Sequence, residues 1–137
     1  MADECTLVFE TALPIPFTCA DGTAIAKGAV LMWADLATVA TTTGDGDSVA
    51  GIAAEEKIIS DGKVKIAVYT QGTFKGYAGL AGVTVGQGIE TDTATGAANE
   101  LVVIDAAEDN CVGTALETAT DGETFLFQLN PTNRDIA

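Results

Sequence analysis

Apolar and polar positions alternate most cleanly between Val49 and Phe74. Val64, Ile66 and Val68 are separated by Lys65 and Ala67, the period of a strand with one buried face. Just upstream, Ser60-Asp61-Gly62 supplies turn chemistry, because Asp bonds its own backbone and Gly accepts positive φ. The pattern predicts a hairpin in which strand Val49–Ala54 returns as strand Lys63–Thr70. A helix over Ala50–Ile59 is disfavoured by Gly51 and by the lack of a capping box.

The first twenty residues follow a different rule. Leu7-Val8-Phe9 is a short apolar run, and Ala12-Leu13-Pro14-Ile15-Pro16-Phe17 interleaves two prolines with large side chains. Each proline fixes its own φ and biases the preceding residue to an extended conformation. Residues 1–20 therefore read as an extended N-terminal arm carrying Leu7, Phe9, Leu13, Ile15 and Phe17. Such an arm either lies across its own barrel as an edge strand or reaches a neighbouring subunit or a larger surface.

Beyond the arm the pattern occurs twice, with an offset near 60 residues. Ala29–Ala34 and Leu36–Thr43 read as strands, followed by a loop at Gly44–Ser48 and then the hairpin. In the second half Gly22 finds Gly82, Gly28 finds Gly88, and Asp61-Gly62 finds Asp121-Gly122. Val49-Ala50-Gly51-Ile52-Ala53 finds Cys111-Val112-Gly113-Thr114-Ala115, and Leu101-Val102-Val103-Ile104 takes the place of the strand with Val39. The alternation Val64, Ile66, Val68 finds Phe125, Phe127, Leu129, and Asn130-Pro131-Thr132 ends the ladder. With helix signals weak in both copies, the expected fold is all-β. It is a compact antiparallel barrel or sandwich over residues 21–137, built from pseudo-repeats at about 21–78 and 79–137.

Composition narrows the partners. At 137 residues with 47% hydrophobic content, the chain is long enough to bury a core. Its 20 acidic and 6 basic residues give a net charge of −14 and place an acidic shell around that core. Nucleic acid is excluded as a partner because phosphate binding needs Lys and Arg, and an anionic membrane surface is disfavoured on the same ground. No stretch reaches the roughly 20 apolar residues of a membrane helix. The acidic start Met-Ala-Asp-Glu-Cys does not read as a signal peptide, so synthesis in a cytoplasm is expected. Cys5, Cys19 and Cys111 then read as reduced, partly buried thiols, lacking metal or disulfide spacing.

Candidate chemistry is sparse. The sequence has no histidine, which removes imidazole acid–base catalysis and the Ser-His and Cys-His nucleophile pairs. Glu55-Glu56 and Glu108-Asp109 are adjacent acids that read as exposed pairs in an acidic chain. Asp45-Gly46-Asp47 has two of the carboxylates of a calcium loop but not the rest of the pattern, leaving a weak cation site or a solvated turn. The run Gly79 to Gly88 has neither dinucleotide nor P-loop spacing. Lys63, beside the Asp61-Gly62 turn, sits about where lipoyl and biotinyl carrier domains present their modified lysine. Its neighbours Gly62 and Val64 depart from the motif of those domains, and a solvated hairpin lysine is the simpler reading.

The order Asp-Gly-Thr-Ala-Ile-Ala-Lys-Gly-Ala-Val (21–30), Val-Ala-Gly-Ile-Ala (49–53) and Ile-Ala-Val-Tyr-Thr-Gln-Gly-Thr-Phe (66–74) resembles the head decoration proteins of tailed viruses. The second copy, through Phe125-Leu126-Phe127-Gln128-Leu129, is similar. The resemblance implies a structural virion protein without catalysis, metal or cofactor, made in the host cytoplasm. It would bind the outside of an icosahedral capsid as a homotrimer and cement adjacent capsomers. The implied partner is the major capsid protein, with the arm residues Leu7, Phe9, Leu13, Ile15 and Phe17 as shell contacts and Trp33 and Tyr77 as subunit contacts. A tail, baseplate or receptor-binding module of a virion shares the same features, and a carrier domain is the remote third reading.

Joined to the acidic surface, the resemblance implies a virus of a salt-loving archaeal host. Self-repulsion among the acids weakens the compact state in dilute buffer, and salt screens it. On the halophilic reading the melting temperature rises from dilute buffer to molar salt; a flat thermal scan leaves the charge to solubility alone.

Overall fold

The structure, a computed structural model, describes residues 4–42, 48–92, 99–103 and 110–132. Among them eleven strands form: β1 (Thr6–Phe9), β2 (Ile15–Cys19), β3 (Val30–Asp35), β4 (Thr38–Thr41), β5 (Gly51–Ala53), β6 (Lys65–Tyr69), β7 (Gly72–Tyr77), β8 (Gly88–Thr91), β9 (Leu101–Val103), β10 (Cys111–Ala115) and β11 (Thr124–Thr132). The fold is all-β. Strands β2-β4-β3-β5-β6 close a five-stranded barrel, and β1-β7-β11-β10-β8-β9 form a six-stranded sheet. The expected hairpin is present as the antiparallel pair β5–β6, with Ile52 opposite Tyr69 and Ala53 opposite Val68.

The two halves share one topology. In the first, β3 lies between β4 and β5, and β6 lies between β5 and β2; in the second, β8, β9, β10, β11 and β7 take the same places. Register agrees at each joint. Leu31 faces Gly51 as Ile89 faces Gly113. Trp33 faces Val39 as Thr91 faces Leu101. The bridge Ile25–Lys57 has its counterpart in Val83–Ala119. The parallel contact that closes the barrel has an echo: Cys19 meets Val39 in parallel in the first unit, and Ala78 meets Leu101 through an isolated parallel bridge in the second. Ala37 and Asn99, before the equivalent strands β4 and β9, both take positive φ.

Four sequence-derived details shift. The first unit begins at Ile15 in β2, which corresponds to Phe74 in β7, instead of at residue 21. Ile66 and Val68, not Val64 and Ile66, correspond to Phe125 and Phe127. A two-residue slip preserves the alternation of faces, so the apolar pattern could not distinguish the two alignments. Gly28 corresponds to Gly86, each with positive φ before an equivalent strand. The ladder also runs past Pro131 to Thr132, which pairs with Cys111 beyond a bulge.

Residues 4–19 are extended, but they belong to the body. β1 pairs along β7 at the sheet edge, and β2 is a barrel strand between β4 and β6. The N–H of Cys5 donates to the carbonyl of Gly28 at 2.8 Å. The segment therefore straps the two units together, bonded to the first at Cys5 and to the second along β1. Of the two alternatives left open by the sequence, β1 takes the edge-strand position.

Alternation divides the core in two. Leu31, Val39, Ala53, Ile66 and Val68 fill the barrel, while Val30, Ile52, Phe74, Ile89, Phe125 and Phe127 pack between the sheet and the barrel. The second cluster is aromatic, with Phe74 and Phe127 stacked at 6.1 Å and Phe125 lying 5.6 Å from Phe127. Most of the described acids are at least partly exposed, but Glu90, Asp92 and Glu100 are buried around β8 and β9, so the acidic shell is not complete.

Gly51 and Gly113 occupy the equivalent point of both units. A Cβ at Gly51 would sit 2.0 Å from the carbonyl oxygen of Tyr69, and one at Gly113 would sit 1.9 Å from that of Gln128. Gly22 has open space around it. Gly113→Ala should lower unfolding free energy by about 3 kcal/mol, at the upper end of overpacking costs. Gly22→Ala should change it by less than about 0.5 kcal/mol. Urea titration of both variants checks this, and equal midpoints would contradict the register.

Candidate functional site

The N-terminal strap divides its large side chains between the body and solvent. Leu7 is half-buried against the inter-unit core, and Phe17 packs on the barrel core. Phe9 is 66% exposed and Leu13 76% exposed, with Val8 and Ile15 also open to solvent. Of the five arm residues, three therefore remain on the surface: Phe9 at the end of β1, the edge strand of the sheet, Leu13 in the link to β2, and Ile15 on barrel strand β2. An exposed apolar edge of this kind accepts an added strand or an apolar partner surface.

Trp33 and Tyr77 have structural neighbours. Trp33 is half-buried and meets Phe17 edge-on at 5.0 Å. Tyr77 is half-buried on β7 opposite Thr124. Neither is a bare surface aromatic.

Lys63 is engaged. Its Nζ lies 2.8 Å from Glu55 Oε1, while Glu55 Oε2 accepts the N–H of Ala67 at 2.8 Å. The bond from Lys63 and that from Ala67 hold the Glu55 carboxyl below its usual range. The second unit repeats the backbone part of this arrangement, where Glu117 Oε1 accepts the N–H of Leu126 at 2.9 Å. Glu55 thus serves the fold of its unit and is not one of a bare acid pair. Asp45, Asp47, Glu108 and Asp109 lie outside the described residues.

The most tightly built polar centre was not visible as a motif. Lys57 has a fully buried side chain. Its Nζ donates to Asp61 Oδ1 at 2.7 Å, Ile58 O at 2.8 Å, Asp21 Oδ1 at 2.9 Å and Asp21 O at 3.0 Å. With three protons for four acceptors, one N–H is shared. Asp61 also accepts the N–H groups of Ile58 and Lys63, and Asp21 Oδ1 accepts that of Gly62. The ammonium thus pins the segment from Ile58 to Gly62 to the Asp21 turn. A single lysine between Glu56 and Ile58 gives no sequence signal of this; only the three-dimensional convergence of Asp21 and Asp61 does.

Among the described residues no cluster of three or more His, Cys, Asp or Glu side chains is arranged to hold a metal. None of the three cysteines is in a disulfide, and Cys5 and Cys19 are buried while Cys111 is half-buried. Burial raises the Cys19 thiol above its ordinary value, which suppresses thiolate reactivity. A cleft of about 450 Å³ opens where the strap crosses the units, bordered by Glu4, Leu7, Lys27, Ile52, Tyr69 and Phe74. No helix of the described chain is long and apolar enough to cross a membrane.

The hydrogen bond from Lys57 is the first cause of the fall in the Asp61 carboxyl, to about 2 from 3.8. A depressed carboxylate contributes stability that is present above its unfolded value and is lost as pH falls through the folded one. For Lys57, burial opposes the charged form, but its bonds to Asp21 and Asp61 outweigh that and raise it. That contribution is present below pH 10.5 and is lost as pH rises through the folded value. Lys57→Met should lower the melting temperature at neutral pH by roughly 10 °C, by orphaning carboxylate and carbonyl acceptors. The difference from wild type should shrink between pH 4 and about 2, where Asp61 loses its charge. A constant difference across that window contradicts the clamp.

Comparison with protein-family models gives no match, and comparison with curated protein sequences gives none either. Among solved structures, the fold matches the N base of the head fiber gp8.5 of bacteriophage phi29, with a TM-score of 0.57. The match covers 88% of this chain and 98% of that one at 14% sequence identity. The likeness is one of fold.

Proposed function

We propose that this chain is a structural protein of a tailed-virus head. The observation that carries the reading is the shared fold with the base of a phage head fiber, which extends over nearly the whole of both chains. The exposed apolar strip on the strap supplies a contact surface of the right kind. A structural role of this sort needs many copies and a complementary surface, with no reacting group.

In its finer form the proposal assigns the chain to the capsid exterior, where it binds the major capsid protein and cements adjacent capsomers without catalysis, as a homotrimer. Because β1 and β2 are built into the fold, the shell contact is not a free arm. It is the solvent face of the strap, with Phe9, Leu13 and Ile15 as apolar anchors and Leu7 and Phe17 holding them from within. A role at the base of a fibre projecting from the head uses the same face.

The strap variant Phe9→Ser/Leu13→Ser tests this, because both side chains are exposed and the fold does not need them. Added to purified heads assembled without this protein, wild type should bind. The variant should bind at least about tenfold more weakly, the loss expected of a central apolar anchor. Its melting curve should be unchanged. Equal binding by the variant removes the strap as the contact, and wild type found on tails instead of heads favours the tail or baseplate reading.

A further inference from the structure

An Asp-Gly step can rearrange without an enzyme. The glycine nitrogen, unhindered by a side chain of its own residue, loses its proton and attacks the aspartate Cγ. A nitrogen–carbon bond forms, one carboxyl oxygen departs as water, and a five-membered succinimide results. Water then reopens the ring at either carbonyl. The product is Asp again, or isoaspartate, whose main chain runs through the former side chain. One water is lost and one regained, so no oxidant or reductant takes part. The chain contains Asp21-Gly22, Asp45-Gly46, Asp61-Gly62 and Asp121-Gly122, of which Asp45-Gly46 lies outside the described residues.

The Lys57 clamp ties down both described steps of the first unit. Asp61 Oδ1 accepts Lys57 Nζ at 2.7 Å and the N–H of Lys63 at 2.9 Å, and its Oδ2 accepts the N–H of Ile58 at 3.3 Å. The attacking nitrogen is held too, since the N–H of Gly62 donates to Asp21 Oδ1 at 2.8 Å. The bond from Lys57 also keeps Asp61 ionised, and a carboxylate anion is a poor electrophile. Asp21 Oδ1 accepts Lys57 Nζ as well, at 2.9 Å. The Asp21 carbonyl accepts Lys57 Nζ at 3.0 Å and the N–H of Ser60 at 2.7 Å. Neither its side chain nor its peptide is free to turn toward Gly22.

The second unit has no such clamp. Ala119 stands at the bridge position of Lys57. Four residues lead from it into β11, where seven lead from Lys57 into β6. Asp121 and Gly122 lie exposed in that short turn, with nothing within 4 Å of where a Cβ on Gly122 would be. A ring therefore has room to form. Among the described residues, no hydrogen-bond donor or cation engages the Asp121 carboxylate. The restraint on this step is the N–H of Gly122, which donates to the carbonyl of Ala78 at 2.9 Å.

We propose that Asp121-Gly122 is a site of spontaneous isoaspartate formation in the folded protein, and that the Lys57 clamp spares Asp61 and Asp21. The change reaches the core of the second unit. The N–H of Ala78 donates to the Glu123 carbonyl at 2.9 Å, completing a pair of bonds with the turn, and Ala78 makes the parallel bridge to Leu101. An extra main-chain carbon at residue 121 draws Gly122 and Glu123 out of register with Ala78, so ageing loosens that contact.

Peptide mapping by mass spectrometry, with electron-based fragmentation to tell isoaspartate from Asp, tests this on protein kept for weeks in warm neutral buffer. Isoaspartate at residue 121 should exceed that at 61 and at 21 by at least about tenfold, the factor set by one charge-assisted hydrogen bond that the clamped sites must break. In urea, where the clamp is lost, the three steps should react at similar rates. Lys57→Met should release residue 61 while leaving 121 unchanged. Asp121→Glu, which must close a less favourable six-membered ring, should remove the signal at 121, and its melting temperature should hold on ageing while that of wild type falls. Equal isoaspartate at 61 and 121 in folded wild type overturns the proposal. So does none at 121 when the urea sample shows it, or a folded Lys57→Met protein whose residue 61 stays intact. If Lys57→Met does not fold, the comparison of native and urea-treated wild type decides.

Discussion

The close approach of backbone to backbone at Gly51 and Gly113 is the constraint on which each unit is built. At both positions a carbonyl oxygen of the neighbouring strand occupies the space of a Cβ. Only glycine permits β5 to sit against β6, and β10 against β11, at that distance. Once that contact is set, the pairing of β3 with β5 and of β8 with β10 follows in the same register. The barrel then closes through β2 and β4, with its echo at Ala78 and Leu101. The duplicated architecture is thus a consequence of one tight contact made twice.

The units are alike in backbone and unlike in filling. The second packs Phe74, Phe125 and Phe127 where the first has Ile15, Ile66 and Val68, and its aromatic cluster forms the core shared with the barrel. The first spends a buried lysine and a longer loop where the second has an alanine and a hollow. The shared backbone fixes the scaffold, so the differences between the units mark where the surface is specialised. The strap adds a further asymmetry, because β1 has no counterpart and lies beside β7 alone.

How much of this was legible depends on the kind of signal. Gly51 and Gly113, the Asp-Gly turns and the period-two alternation lie in the sequence, and from them follow the all-β class and the existence of two units. The register between units was two residues out along β6, because alternation cannot detect an even slip. The prolines made residues 12–17 extended, but nothing in them says that β2 is a barrel strand, since its partners lie about 20 and 50 residues away. Nothing in the sequence marks Ile58 and Ile59 as exposed positions. Their exposure is set by Lys57, whose partners at Asp21 and Asp61 converge only on folding.

The functional account joins a fold shared with a phage head-fiber base to a surface with an apolar strip on its strap. Electron cryomicroscopy of virus particles produced together with this chain tests it most directly. The account predicts density matching the barrel and sheet on the outside of the head, with the Phe9–Ile15 face against the shell. Density for this chain on the tail, or a particle that lacks it altogether, would contradict the account.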